Sequence, residues 1–319
     1  MGRKNQVYRA VDMKKPDYVP VLFLNKDLEQ SDIIMAGVTR DFMGEGKNVS
    51  EWGFKWERRD DTMGQPIDSV INSYADMDGL MIPDSRDKSR FDTIAEAKAL
   101  YGEDRYYIAG LGLTGFTLMT FLRGFENTLM DLYTDRENLE KLADIVFGFE
   151  EDIIAQLGDY DVDAVAFADD WGTQDSLIIS PNMWREFFKP RYKKQFDFAH
   201  EQGLHVYFHC CGYIAEIIPD LIEIGVDMLN LSQPNIFDIK KLGEEFGGKT
   251  CFVCPVSYQT TSLFGSKAEI YEDVRALVEN LGCFDGGLVG YVEEYHSIGL
   301  SDENYHNCIN AFRELGKYK

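Results

Sequence analysis

Short apolar runs alternate with longer helical stretches along almost the whole of this chain, and that alternation limits its fold more than any other feature. The runs cover 18–24, 79–83, 106–112, 164–170, 205–212, 227–232, 250–256 and 287–293. Most are near-continuously apolar, as parallel strands covered on both faces must be. Helical patterns lie between them at 134–157, 181–202, 214–224 and 267–281. Ser180-Pro181 is a good helix start, serine as cap and proline in the first turn. Gly203, Gly225 and Gly282 stand where helices favour a terminating glycine. Eight β/α units in 319 residues predict a (β/α)8 TIM barrel, taken as a single domain over 1–319. A doubly wound sheet is the alternative, but no GxGxxG follows an early strand. Residues 52–70, beginning Trp52-Gly53-Phe54-Lys55-Trp56, do not fit the alternation and read as a hairpin inserted after the first strand.

Composition narrows the partners. The chain is 45% hydrophobic and 27% charged, which is ordinary for a globular protein. A formal charge of −23 repels phosphate backbones and anionic lipid, so neither nucleic acid nor a membrane surface is an expected partner. No apolar run approaches the ~20 residues of a membrane span. The N-terminus lacks the apolar core of a signal peptide. A cytoplasmic protein with six reduced cysteines is therefore expected.

In a barrel of this type, chemistry gathers at the C-terminal ends of the strands. The fifth run ends in His209-Cys210-Cys211-Gly212. Side chains two apart on a strand share a face, so His209 and Cys211 project together and Cys210 projects away. An imidazole and a thiolate side by side can hold two positions of a zinc ion. Other strand ends add Asn25-Lys26-Asp27, Asp169-Asp170-Trp171-Gly172, Asn230-Leu231-Ser232-Gln233, Cys254 and Glu293-Glu294-Tyr295-His296. A catalytic zinc takes three protein ligands, and Glu294, Glu293, His296 or Cys254 could supply the third. Cys251 and Cys254, three apart on a strand, face opposite sides; Cys251 reads as core and Cys254 as a site candidate. Asp169 and Asp170 read either as catalytic residues, orienting the ligand histidine or accepting a proton, or as loop caps. Cys283 and Cys308 read as packing residues, and His200, His205 and His306 as solvated or structural.

These residues also carry a likeness. The chain resembles the uroporphyrinogen decarboxylase superfamily nearly end to end, and within it the zinc- and corrinoid-linked methyltransferases. The opening stretch Arg9-Ala10-Val11-Asp12-Met13-Lys14-Lys15-Pro16-Asp17-Tyr18-Val19-Pro20-Val21 is similar to that superfamily's first helix and strand. Leu122-Arg123-Gly124-Phe125-Glu126-Asn127, Asp169-Asp170-Trp171-Gly172-Thr173-Gln174 and Ile179-Ser180-Pro181 resemble the methyltransferase-like branch. The most specific piece is His209-Cys210-Cys211-Gly212 leading into Ile217-Ile218-Pro219-Asp220-Leu221-Ile222.

The resemblance implies a barrel, zinc on His209 and Cys211, and a corrinoid cofactor that accepts or donates a methyl group. The carrier motif Asp-x-His-x-x-Gly is absent, so the corrinoid is expected on a partner protein. True uroporphyrinogen decarboxylases carry an arginine-bearing loop after the first strand. Here Leu24-Asn25-Lys26-Asp27-Leu28 stands there, a poor receptor for many carboxylates. Thiol-methylating members take a third zinc ligand from a cysteine ending the last strand, where an ungapped comparison puts Glu294. An oxygen donor leaves zinc harder than a second sulfur would. The expectation is therefore a zinc-dependent methyltransferase that moves a methyl group between a small methylated donor, such as an O-methyl compound, and the cobalt of that separate corrinoid protein. A methylcobamide:thiol methyltransferase and a decarboxylase are the alternatives.

Overall fold

The structure is a computed structural model that describes residues 2–40, 48–57, 64–294 and 296–318. Tyr295 and residues 58–63, which belong to the strand-end and hairpin expectations above, lie outside the described residues. Eight parallel strands close into a barrel, a (β/α)8 TIM fold. They are β1 (Val21–Leu24), β2 (Ile33–Gly37), β5 (Tyr106–Leu113), β6 (Ala164–Ala168), β7 (His205–Cys210), β8 (Met228–Leu231), β9 (Cys251–Pro255) and β10 (Leu288–Glu293); β3 (Lys55–Glu57) and β4 (Gln65–Asp68) form a separate antiparallel pair.

The second strand is not where the alternation put it. Residues 79–83 begin at the end of a 3-10 turn and continue as irregular chain, with Met81 and Ile82 more than half exposed. The strand is Ile33–Gly37 instead, whose residues pair one by one with Tyr106–Gly110. Only a 3-10 turn, Leu28–Gln30, joins β1 to β2, so no helix separates the two strands. An alternation rule that expects a helix between strands passes over such a strand. The hairpin expected after the first strand consequently follows the second, with Lys55 opposite Asp68 and Glu57 opposite Gln65.

Two further expectations shift for local reasons. The helix expected over 181–202 is two helices, Pro181–Phe187 and Lys189–Glu201. Pro190 stands in the first turn of the second, and its missing N–H cannot continue the first. The Ser180 hydroxyl caps the first helix by accepting the Met183 N–H at 3.2 Å. The helix expected over 214–224 is confined to Ile218–Glu223, with Pro219 in its first turn. Among the described residues no helix is long and apolar enough to cross a membrane.

Strand alternation divides the core into two layers. Tyr207, Met228, Cys251, Val253, Val289 and Tyr291 fill the barrel interior. Val206, Phe208, Cys210, Phe252, Cys254 and Val292 face outward into the larger layer beneath the helices. The helix Arg3–Val11 closes the floor, its Tyr8 hydroxyl donating to Asp163 at 2.7 Å and Lys4 pairing with the same carboxylate at 2.8 Å. The interior is thus packed and sealed below, which leaves the strands' C-terminal ends as the open face.

Candidate metal centre

His209 and Cys211 stand at the open end of β7, on its interior side. Neighbouring strands lock their level: Ala168 on β6 and Asn230 on β8 are in register with His209. The loops leaving β6 and β7 touch at two glycines. A Cβ on Gly212, which has φ +79°, would lie about 2.1 Å from the Gly172 carbonyl oxygen, and one on Gly172 would strike the Gly212 backbone. Only glycine permits this approach. Backbone bonds from Gly172 N–H to Cys211 O (3.2 Å) and from Tyr213 N–H to Thr173 O (2.7 Å) then hold Asp170 against the tetrad.

The histidine is oriented by its neighbour. Asn230, almost wholly buried, donates its amide N–H to the Val253 carbonyl at 2.8 Å. Its oxygen is thereby turned toward His209 Nδ1, 2.6 Å away. Nδ1 carries the proton that bond requires, so Nε2 is the nitrogen turned toward Cys211 and Asp170. Nε2 lies 3.6 Å from Cys211 Sγ and 3.8 Å from Asp170 Oδ1. The ligand atoms of Asp170, His209 and Cys211 all fall within 4.8 Å of one another, the one such group among the described residues. With metal bonds of 2.0–2.3 Å, a tetrahedral zinc needs donor separations of about 3.3–3.8 Å, a range that holds both separations from Nε2. Burial works against a charged His209, yet Cys211 and Asp170 outweigh it and push the imidazole up to about 9. Asp170 also accepts the Cys211 N–H at 2.8 Å, and Ser232 Oγ lies 3.3 Å from the thiol.

The carboxylate that the structure brings to His209 and Cys211 is thus that of Asp170, one of two aspartates expected to be catalytic; Glu294 is not in that group. Asp169 does something else. It is fully buried on the outer side of the barrel wall, where it accepts the Phe116 and Thr117 N–H groups at 2.8 Å each and the hydroxyls of Thr117 and Tyr192. Burial pushes its carboxyl up to about 7 against the pull of those donors. These bonds cap the start of the helix Gly115–Arg123, a segment earlier in the chain and not the following loop.

The remaining candidates separate by register. Glu293 continues the interior-facing series Val289, Tyr291 and accepts from the Tyr291 hydroxyl and from Asn25 Nδ2 (3.2 Å). Glu294 turns to the rim and pairs with His296, whose Nε2 lies 2.9 Å from Asp302. Cys254 faces the outer layer, where burial pushes its thiol up to about 12, so it is not presented to an ion at the mouth.

Three residues without an assigned role in the sequence reading belong to the site's surroundings. Asn230 and Ser232 were visible as polar residues two apart at the end of a strand, but their partners depend on the β7–β8 register. Tyr258, on the loop after β9, is pushed up to about 12 by burial and by the nearby Cys211, Asp170 and Glu293, and it bonds Gln233. Gln233 in turn accepts the Gly212 N–H at 2.9 Å.

The model of the uroporphyrinogen decarboxylase (URO-D) family matches residues 52–288, about three-quarters of the chain. The chain belongs to the uroporphyrinogen decarboxylase family. The matched span contains Asp170, His209, Cys211 and Asn230 and ends before Glu293. No curated protein matches the chain. Among solved structures, a methyltransferase from Methanosarcina mazei is similar in fold, with a TM-score of 0.71 and 16% identity over 99% of both chains. The native xylanase 10B from Thermotoga maritima gives a TM-score of 0.48 with 8% identity over 98% of both chains. The fold is thus shared with that methyltransferase at 16% identity.

Proposed function

We propose that this chain is a zinc-dependent methyltransferase that moves a methyl group from a small methylated donor to the cobalt of a corrinoid held by a separate protein. Membership of an enzyme family and a fold like that of a methyltransferase support the coarse reading. One observation carries the finer one: a nitrogen, a sulfur and a carboxylate oxygen converge at the open ends of β6 and β7, and Asn230 holds the histidine's other nitrogen.

Zinc bound there supplies Lewis acidity toward the donor's leaving group, and one sulfur rather than two keeps it hard. Around it, the chain's own residues orient and screen. Asn230 fixes the His209 ring, Asp170 ties its loop to the Cys211 backbone, and the Ser232 hydroxyl can donate to the Cys211 sulfur in its thiolate form. The protonated Tyr258 hydroxyl adds a donor beside the site. Asp170 thus takes over the argument that Glu294 made in the sequence, and an O-methyl donor remains the favoured class. A decarboxylase acting on a many-carboxylate substrate is disfavoured. Such a reaction would need cations, and Lys26 and Arg123 pair instead with Asp302 at 3.3 Å and Asp131 at 2.8 Å.

The test is incubation of the zinc-loaded protein with cobalt(I) corrinoid and a panel of methoxyaromatics, methylamines and methylthiols. Methylcobalt should form with the methoxy compounds. Thiol methylation from methylcobalt, with no methylcobalt from any donor, would reverse the assignment.

A further inference from the structure

The Asp170 side chain is 49% exposed, so packing alone does not hold its carboxylate beside His209 and Cys211. Its place has to be set largely through its backbone. Four successive N–H groups, Asp169 to Gly172, run past the metal centre as the chain leaves β6. The outer two go to carbonyls of the tetrad, Asp169 to His209 O at 3.1 Å and Gly172 to Cys211 O at 3.2 Å. The inner two go to side chains instead. Thr117 Oγ1 accepts the Asp170 N–H at 3.0 Å, and Cys210 Sγ accepts the Trp171 N–H at 3.2 Å.

Both acceptors are buried behind the barrel wall. Cys210 faces the outer layer, and Thr117 meets the buried Asp169 there. The direction of each bond is fixed. The single proton of the Thr117 hydroxyl goes to Asp169 Oδ1 at 2.7 Å, so only its lone pairs are left for the Asp170 N–H. Asp169 is held in turn by the Tyr192 hydroxyl, which accepts the Trp171 indole N–H at 3.1 Å. Cys210 repeats the pattern: its S–H donates to Cys211 O at 3.3 Å while its sulfur accepts from Trp171. Thr114, three residues before Thr117, secures the preceding residue. It accepts the Ala168 N–H at 3.1 Å and donates its own N–H to the Ala168 carbonyl at 3.1 Å. The start of the helix Gly115–Arg123 therefore grips the end of β6 on both sides of Asp169.

We infer that Thr117 and Cys210 are positioning residues of the metal centre, which aim the Asp170 carboxylate from behind the wall by holding the backbone on either side of it. The inference rests on the zinc site proposed above. It gives a role to the tetrad member that faces away from that site. Without the hydroxyl or the thiol, the segment carrying Asp170 is tied to the tetrad mainly at its two ends, and the carboxylate loses its fixed direction.

The test is zinc affinity of full-length variants by chelator competition, with visible spectra of the cobalt(II)-substituted forms. Thr117→Val should weaken zinc about 10–100-fold, the loss typical of a residue that orients a metal ligand. Thr117→Ser keeps the hydroxyl and should restore the affinity. Cys210→Ala should weaken zinc and Cys210→Ser should recover it, which tests the claim at a second position if Thr117→Val does not fold. The cobalt bands of Thr117→Val should shift toward those of Asp170→Ala. The double variant decides. On an Asp170→Ala background, Thr117→Val should cost no further zinc affinity, while its thermal destabilisation is the same on both backgrounds. An equal loss of affinity on both backgrounds, or unchanged affinity in Thr117→Val and Cys210→Ala, would overturn the inference. Zinc bound as tightly by Asp170→Ala as by the unsubstituted chain would instead strike the metal-centre reading itself, so the two failures are distinguishable.

Discussion

Strand β7 carries two histidines on the same interior face, four residues apart, and they live in opposite worlds. His205, at the floor, is used on both nitrogens: Tyr106 bonds Nδ1 at 2.6 Å and Asp12 lies 3.3 Å from Nε2, with Tyr8 against the ring. His209, at the mouth, is held on Nδ1 by Asn230 at 2.6 Å, and its Nε2 faces the Cys211 sulfur at 3.6 Å and the Asp170 carboxylate at 3.8 Å. One imidazole is a structural fastener and the other belongs to the group that could hold a metal ion. Residue type and strand are the same. The difference is which end of the barrel the strand presents, and whether a helix closes that end.

The comparison breaks most decisively at the metal. His209→Ala and Cys211→Ser should each strip the zinc and abolish methyl transfer with little loss of folding stability, read by metal analysis and thermal melts. Asp170→Asn should weaken zinc binding, whereas Glu294→Gln should leave it unchanged. The opposite pattern would restore the rim glutamate as third donor.

Asn230→Ala should come next, costing about 10–100-fold in zinc affinity by freeing the His209 ring. His205→Ala should do the reverse of His209→Ala. It should keep its zinc and lose roughly 1–3 kcal/mol of stability, because the Tyr106 hydroxyl and Asp12 are left without their partner in chemical denaturation.

Titration sharpens the contrast further. The His209 imidazole is raised above its ordinary value to about 9, so the metal-free fold gains stability from it below about pH 6.5 and loses that gain as pH rises through 9. Zinc must displace this proton, so its affinity should climb between pH 7 and 9 while the zinc-loaded protein shows no such loss of stability. A zinc affinity flat across that range would contradict the assignment.

The smallest expected effect is at Glu150, which burial pushes up to about 8. A carboxyl raised in the fold contributes stability below its unfolded value near 4.5, lost as pH rises through 8. Glu150→Gln should flatten the pH dependence of melting in that window and leave zinc binding alone.

Much of this was legible in the sequence because strand periodicity is strict. Seven of the eight barrel strands, and the shared face of His209 and Cys211, follow from apolar runs and a period of two. β2 was not legible, since only a 3-10 turn separates it from β1 and the helix that usually marks a strand's end is missing. The place of Asp170 beside His209 and Cys211 was hidden for a different reason. Which of Asp169 and Asp170 faces the mouth, and whether Glu293 or Glu294 does, depends on where each strand stops alternating. Those breaks are set by backbone contacts such as Gly172 against Gly212. The orienting role of Asn230 needed the β7–β8 register, which no single strand encodes.

X-ray absorption at the zinc edge of the purified protein tests the central claim most directly. One sulfur at about 2.3 Å with the remaining neighbours nitrogen or oxygen near 2.0–2.1 Å is the expected first coordination sphere, with the sulfur lost in Cys211→Ser. Two sulfurs, no sulfur, or an unchanged spectrum in His209→Ala would contradict a zinc held by His209, Cys211 and Asp170.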